Sequence, residues 1–360
     1  MPHSSAAPLL DVPFPPLLGS PGLAQGRYGT RGNLELVVPD PHDGLWVFWH
    51  NNDPEGSGTD PVPGPPPGCW SGGLHFAAGR RYTSAAVIQS VHGPDHLELL
   101  AGDGNGIHRL RWSPEQAFTY EGMLPVRPAG PPALAEGRDG VPYAAVPLTD
   151  GGVARLTART GSYPELGWEV TAVHRAPSSA VVSAAIVADG AFAATPAVAA
   201  TLSDGSLLVW HGDGPGRRLG SFTAPARVAA VATGDGLRCY VMDGEDVLHV
   251  VDGDGRRLRG TRPARSGPAR SGSAGSDSAR SGSADSDPVG SGSARSVPVR
   301  GFAVTGVSFD TGRTEIAVQR GRTVQHLVQE GGTDGEWRIG EARSRVVPGD
   351  GVPEGVHRRG

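Results

Sequence analysis

Apolar and polar positions along this chain alternate in short runs, broken by turns rich in Asp and Gly, and the unit recurs. NLELVVPDPHDGLWVFW (33–49) aligns with HLELLAGDGNGIHRLRW (96–112): Leu-Glu-Leu, a turn with Asp-Gly, then an apolar strand that ends in Trp. Looser copies follow at 141–159, 197–213, 237–253 and 314–330. Each copy reads as two short strands joined by a tight turn, where Gly, Asp and Asn accept the positive φ that hairpins demand.

The turn centres fall roughly 40 to 60 residues apart once a low-complexity stretch is set aside, the period of four-stranded propeller blades. Small apolar segments precede the hairpins at 84–91, 180–189, 227–235 and 301–309, as innermost strands require. More polar segments follow at 167–175, 217–223 and 336–343, as outer strands allow. No stretch shows helical periodicity. The expectation is an all-β fold, a β-propeller of six four-stranded blades, or seven if the N-terminal segment supplies strands of its own. One blade cannot bury both faces of its sheet, whereas a closed ring of blades can.

The propeller is expected over 21–346. Residues 262–298, RPARSGPARSGSAGSDSARSGSADSDPVGSGSARSV, hold almost no large apolar side chain and read as a disordered insert. The ends, 1–20 and 347–360, read as mobile tails, and the loop PVPGPPP at 61–67 as mobile too.

Composition narrows the chemistry. The 360 residues include 55 Gly and 33 Pro, the level of a turn-dense β fold. A net charge of −5 gives no basic face for nucleic acid. There is no lysine, which excludes Schiff-base chemistry, a P-loop lysine and a Ser-Lys dyad. Cys69 and Cys239 make no CxxC pair, which excludes a zinc site built on paired cysteines. Five prolines and the lack of a basic start argue against a secretory signal in 1–20, and Asp189, Gly190 and Pro196 break the longest apolar run. A cytoplasmic protein with no membrane partner is expected; its oligomeric state is left open.

LELLAGDGNGIHRLRW resembles the repeat of bacterial propeller lectins of the Photorhabdus-lectin (PLL-like) type, through Glu98, the 103–106 turn, His108 and Trp112. Glu35, the 43–44 turn and Trp49 follow the same pattern. The resemblance implies sugar pockets between neighbouring blades, lined by Trp and polar side chains. ATLSDGSLLVWHGD (200–213) locally resembles a WD40 strand pair.

On these grounds the candidate ligand-binding residues are Trp46, Trp49 and Trp112 as stacking platforms, with Glu98, His108 and Arg109 as hydrogen-bonding groups. The competing reading makes each Trp a core residue. Trp46 and Trp49 differ in parity and should face opposite sides of their sheet. A column in the third strands, Val47, Arg109, Arg155, Val209, His249 and His326, is unusually polar for buried positions, and it reads either as a row of ligand donors or as partners for acids such as Glu98, Asp246 and Glu315. Glu35 and Glu98 match in position but lie in different blades, which disfavours a glycosidase pair. No cofactor is expected. Calcium is the one metal the turns GDGNG (102–106) and VDGDGRR (251–257) echo, and both stop short of a full ligand set. SFDTGRTE (308–315) matches part of a sialidase Asp-box without its final aromatic, and no GxSxG elbow or HExxH occurs. The leading expectation is a non-catalytic propeller that binds carbohydrate or another small polar ligand. The alternatives are a propeller hydrolase, lyase or lactonase using axial His, Asp or Glu groups, and a protein-interaction scaffold using the insert.

Overall fold

The computed structural model describes residues 17–261, apart from 27, 28, 30, 54–64, 94, 160, 162, 178, 234 and 235, and beyond them the strands 299–304, 314–320, 323–329 and 337–339. Among the described residues, apart from one short 3-10 turn at Gly190–Phe192, every regular element is a strand. No helix among the described residues is long and apolar enough to cross a membrane.

The strands form four-stranded antiparallel sheets in chain order. The first holds β1 (Gly22–Gln25), β2 (Asn33–Pro39), β3 (Leu45–Asn51) and β4 (Leu74–Phe76). The second holds β5 (Ser84–Gln89), β6 (Leu97–Gly102), β7 (Ile107–Ser113) and β8 (Ala117–Met123). The third holds β9 (Ala133–Glu136), β10 (Pro142–Pro147), β11 (Val153–Arg159) and β12 (Gly167–His174). The fourth holds β13 (Val181–Val187), β14 (Ala197–Leu202), β15 (Ser206–His211) and β16 (Arg217–Ser221). The fifth holds β17 (Arg227–Thr233), β18 (Gly236–Met242), β19 (Leu248–Asp252) and β20 (Arg257–Thr261). These five are described with most of their side chains. A further sheet of β21 (Val299–Val304), β22 (Thr314–Arg320), β23 (Thr323–Gln329) and β24 (Trp337–Ile339) is known chiefly through its backbone pairing.

The first strand of each sheet packs on the first strand of the next, and β21 packs back on β1, so these strands surround an axis. The all-β propeller is the fold. No additional sheet occurs among the described residues, and the N-terminal segment supplies β1 rather than a blade of its own. Of the tail expected over 1–20, residues 17–20 are described and they pack against the sheets. Leu17 is fully buried in the cluster that holds Leu34, Phe48 and Ala317, and the backbone amides of Leu18 and Ser20 donate to Pro39 and Thr83. An apolar side chain that closes a junction between sheets cannot stay in solvent. Residues 262–298 and 347–360, and most of 61–67 and 308–315, lie outside the described residues.

Each sheet is covered on both faces, which is why its middle strands read as nearly continuous apolar runs; β14, AVAATL, is buried along its whole length. One apolar cluster fills each junction. Val37, Val47 and Leu99 join sheets one and two, Leu100, Ile107 and Leu156 join two and three, and Ala145, Val198 and Leu208 join three and four. Val209, Cys239 and Val251 join four and five, Tyr240, Val250 and Ile316 join five and six, and Leu36, Trp70 and Ala317 join six and one. The hairpins close on glycines where the backbone demands it. At Gly205, φ is +81° and an added Cβ would collide with the carbonyl oxygen of Phe222.

Candidate functional site

Strand parity sends one set of side chains from each sheet toward the next. In β6 and β7, Leu100 and Ile107 join the cluster shared with the third sheet, so Glu98, Arg109 and Arg111 face that way as well. The register pairs Leu100 with Arg109 and Glu98 with Arg111. The same two rungs recur around the ring. The Glu98–Arg111 rung is Glu35–Trp49 in the first sheet, Tyr143–Thr157 in the third, Ala197–His211 in the fourth, Arg238–Asp252 in the fifth and Glu315–Val328 in the last. Of the polar column read from sequence, Val47, Arg109, Arg155, Val209 and His326 occupy equivalent places facing the following sheet. His249 does not. It faces the preceding sheet, its ring 5.0 Å from that of Phe222, and Val250 takes the column position opposite Tyr240.

The junction between the second and third sheets gathers the densest chemistry. Glu98 is 5% exposed, and its Oε1 is buried with no hydrogen-bond partner among the described residues. Burial pushes its carboxyl up to about 8, against the opposing pull of the Arg109 and Arg111 guanidiniums and a hydrogen bond with Tyr163. Arg111 is itself buried, donates to Gln116 Oε1 at 2.8 Å and sits 3.4 Å from Glu121 Oε1. Tyr163, from the loop between β11 and β12, brings the third sheet into the cluster. Its hydroxyl is 3.1 Å from His96 Nδ1, its ring stacks on His92 at 4.1 Å, and the Arg111 guanidinium lies 5.9 Å from its centroid. Burial pushes the Tyr163 hydroxyl up to about 12, with Glu98 adding to the shift. Arg109, Glu121, His96 and Tyr163 are half-buried and His92 is exposed, so the cluster reaches the surface.

The six residues proposed from sequence do not converge on one pocket. Glu98 and Arg109 lie at this junction. Trp49 shares the parity of Val47 and faces the junction of the first and second sheets, as does Trp112, which packs 4.9 Å from Phe118. Phe118 in turn stacks on Phe76 at 3.6 Å, so Trp112 is partly a core residue. Glu35 faces this junction too. Its carboxyl is pushed up to about 8 by burial, opposed by a hydrogen bond from Asn33 and reinforced by Asp95. Glu35 and Glu98 therefore face different junctions, with the second sheet between them.

Trp46 and His108 serve the hairpin turns. Asp40 Oδ1 accepts from the His42 and Asp43 amides, and its Oδ2 accepts from Trp46 Nε1 at 2.8 Å. Asp103 Oδ1 accepts from the Asn105 and Gly106 amides, and its Oδ2 accepts from His108 Nε2 at 2.9 Å. Asp243 repeats the device with the Glu245 and Val247 amides and with His249 Nε2 at 2.7 Å. Burial works against the charges of Asp40 and Asp103, and these hydrogen bonds overcome it, holding both below the ordinary aspartate value. His108 is fully buried and offers no surface to a ligand. The two turns that echoed calcium loops use Asp103 Oδ1 and Asp252 Oδ1 to accept from their own amides. No group of three or more His, Cys, Asp and Glu able to hold a metal occurs among the described residues.

The junction between the last and first sheets has its own polar set. His326 Nε2 lies 2.6 Å from Glu315 Oε2, and the His326 ring is 5.5 Å from those of both His50 and Trp70. Burial, together with His326, pushes His50 down to about 4.

Sequence reasoning passed over Arg111, Glu121 and Tyr163. Arg111 was accessible through parity, two residues beyond Arg109 on the same face. Tyr163 lies in a loop of the neighbouring sheet, and no periodic pattern connects it to Glu98.

No protein-family model and no curated protein matches the chain. Solved structures do. The fucose-specific lectin from Aleuria aurantia is similar with a TM-score of 0.59 at 12% identity, over 90% of this chain and 96% of that one. SapL1 lectin, solved in complex with alpha methyl fucoside, gives 0.57 at 14% identity, over 95% of this chain and 100% of that one. BP39L lectin from Burkholderia pseudomallei gives 0.53 at 16% identity, over 89% and 84%. At such identities the likeness speaks for the propeller fold, and the site rests on the residues above.

Proposed function

We propose that this chain is a non-catalytic, lectin-like propeller of six blades that binds carbohydrate between blades, with its principal pocket at the junction of the second and third. The observation that carries the reading is the Glu98 cluster. A buried carboxyl oxygen with no partner among the described residues stands beside two guanidiniums, and a buried polar group in that state is costly unless something completes it. Vicinal sugar hydroxyls suit the arrangement. Arg109 and Arg111 donate to hydroxyl oxygens, and Glu98, protonated near neutrality, has both a donor and an acceptor oxygen. The stacked Tyr163 and His92 rings offer a face to sugar C–H groups. Trp49, Trp112 and Glu35, which face the junction one earlier, are the candidates for a second, more apolar site. The PLL-like repeat unit and the lectin structures of the same fold support this ligand class; one of those lectins is fucose-specific and another was solved in complex with a fucoside.

The test is a thermal-shift titration with methyl α-L-fucoside, methyl α-D-mannoside and methyl β-D-galactoside. A ligand that binds only the native state raises Tm in a saturable way. One of these sugars raises Tm in the native sequence, and the rise is absent in Arg111→Met and reduced in Glu98→Gln. A folded protein indifferent to all three, and blank on a glycan array, contradicts the proposal.

A further inference from the structure

The axis carries a second site of different chemistry. At one end of the ring a cavity of about 590 Å³ is enclosed by residues at or just before the starts of the first strands. Ser20, Thr83 and Ser84, the segment 128–131, the segment 180–182 and the segment 225–227 come from five successive blades, and hairpin residues such as Thr149 complete the wall. Most of this wall is backbone or small side chain, and no Asp, Glu or His is part of its described lining. The one charged group in it is Arg227.

Arg227 opens β17, where its backbone pairs with Met242 while Val228 and Val231 anchor the strand in the two flanking clusters. The side chain is half-buried, and it makes no ion pair or hydrogen bond with the described residues. Burial holds its guanidinium below the ordinary arginine value, with no carboxylate among the described residues opposing it. Arg109 differs, since Glu98 and Glu121 compensate part of its burial. Several aspartates at this end of the ring are bonded elsewhere. Asp40, Asp103 and Asp243 serve their turns, Asp150 pairs with Arg175, and Asp204 accepts from Ser179 and Ser206. The Ser20, Ser84 and Thr149 hydroxyls of the same wall remain as neutral donors.

A partly desolvated guanidinium with no counter-charge among the described residues, in a concave wall whose described lining holds hydroxyl donors and no acid, selects an anion. We propose that the axial mouth is a binding site for a small oxyanion group, phosphate, sulfate or carboxylate, with Arg227 as its charged anchor. The site is separate from the pocket between blades and independent of the sugar reading.

The experiment titrates the full chain with sodium sulfate, sodium phosphate and sodium glucuronate against sodium chloride at matched ionic strength, following Tm. General salting effects grow without saturating, whereas a site levels off, here with half-saturation on the order of 1 mM. Levelling with sulfate or phosphate identifies a free inorganic anion. Levelling with glucuronate alone identifies the carboxylate of an organic ligand. Either result, abolished in Arg227→Gln and weakened but retained in Arg227→Lys, supports the site. In both variants the response to the sugar that binds the native protein stays unchanged. Unsaturated drifts with all three anions, or a saturable rise that survives in Arg227→Gln, overturn it. If Arg227→Gln does not fold, Arg227→Lys decides: a saturable rise of unchanged half-saturation there contradicts Arg227 as the anchor.

Discussion

Between the second and third blades, the rung that faces the next blade holds Glu98 and Arg111; between the fourth and fifth, the equivalent rung holds Ala197 and His211. The rung nearer the hairpin holds Leu100 and Arg109 in one case and Ala199 and Val209 in the other. Around Ala197 the junction is a dry cluster of Val209, Leu237, Cys239, Val241 and Val251, and His211 stands exposed beside Phe192. The two junctions share strand order and equivalent rungs and differ in what fills them. The apolar one shows that the ring closes without buried charge. The polar one therefore owes its carboxyl and guanidiniums to something other than closure, since buried ion pairs are weak sources of stability compared with well-packed apolar groups.

The strongest way to break the comparison is Ala197→Glu, which places a carboxylate in the apolar junction. Ala197 is fully buried, and the variant should lose about 3–5 kcal/mol in urea denaturation, close to the whole stability of many domains. Arg111→Met probes the other side. Sugar affinity should fall at least about tenfold, equivalent to about 1.4 kcal/mol, as read by titration calorimetry.

A smaller effect lies in the pH profile. Glu35 and Glu98 sit near 8 in the folded protein against an ordinary value of 4.5, so between these values the folded state holds more protons than the unfolded one. Their contribution to stability is complete below 4.5 and is lost as pH rises through 8. His50 titrates lower, from its ordinary 6.5 down to about 4, so the carboxyls are best read between pH 6.5 and 8. There stability should fall with pH in the native sequence and fall less steeply in Glu98→Gln, as measured by urea midpoints. The smallest effect belongs to the turns. His108→Gln and His249→Gln each remove a bond to a turn aspartate and should cost about 1 kcal/mol, with sugar binding unchanged.

Much of this architecture was legible in the residues. The Asp/Gly turns marked the hairpins from β2–β3 to β18–β19, and the small apolar segments marked β5, β13, β17 and the described part of β21. Parity placed Trp46 and Trp49 on opposite faces, and the structure agrees. The column failed at His249 for a specific reason. Counted from the turn aspartate, His249 lies as far beyond Asp243 as Arg109 lies beyond Asp103, but the turn between β6 and β7 has four residues, 103–106, whereas that between β18 and β19 has five, 243–247, as in the first and third sheets. One extra residue moves a side chain to the other face of the sheet. His249 is thus the counterpart of His108 rather than of Arg109, bonded to a turn aspartate in the same way. The site was less legible than the fold. Trp46 and His108 stand beside ligand-facing positions in sequence, and only the turn geometry reveals their partners. Tyr163 is absent from the strand pattern altogether, because a junction between blades is made by two segments far apart in the chain.

The most direct test of the central claim is a crystal structure of the protein soaked with the sugar that raises its Tm. The account predicts ligand density between the second and third blades, with hydroxyls within hydrogen-bond reach of Glu98 and of Arg109 or Arg111. Density confined to other junctions, with the Glu98 cluster unchanged, would contradict it.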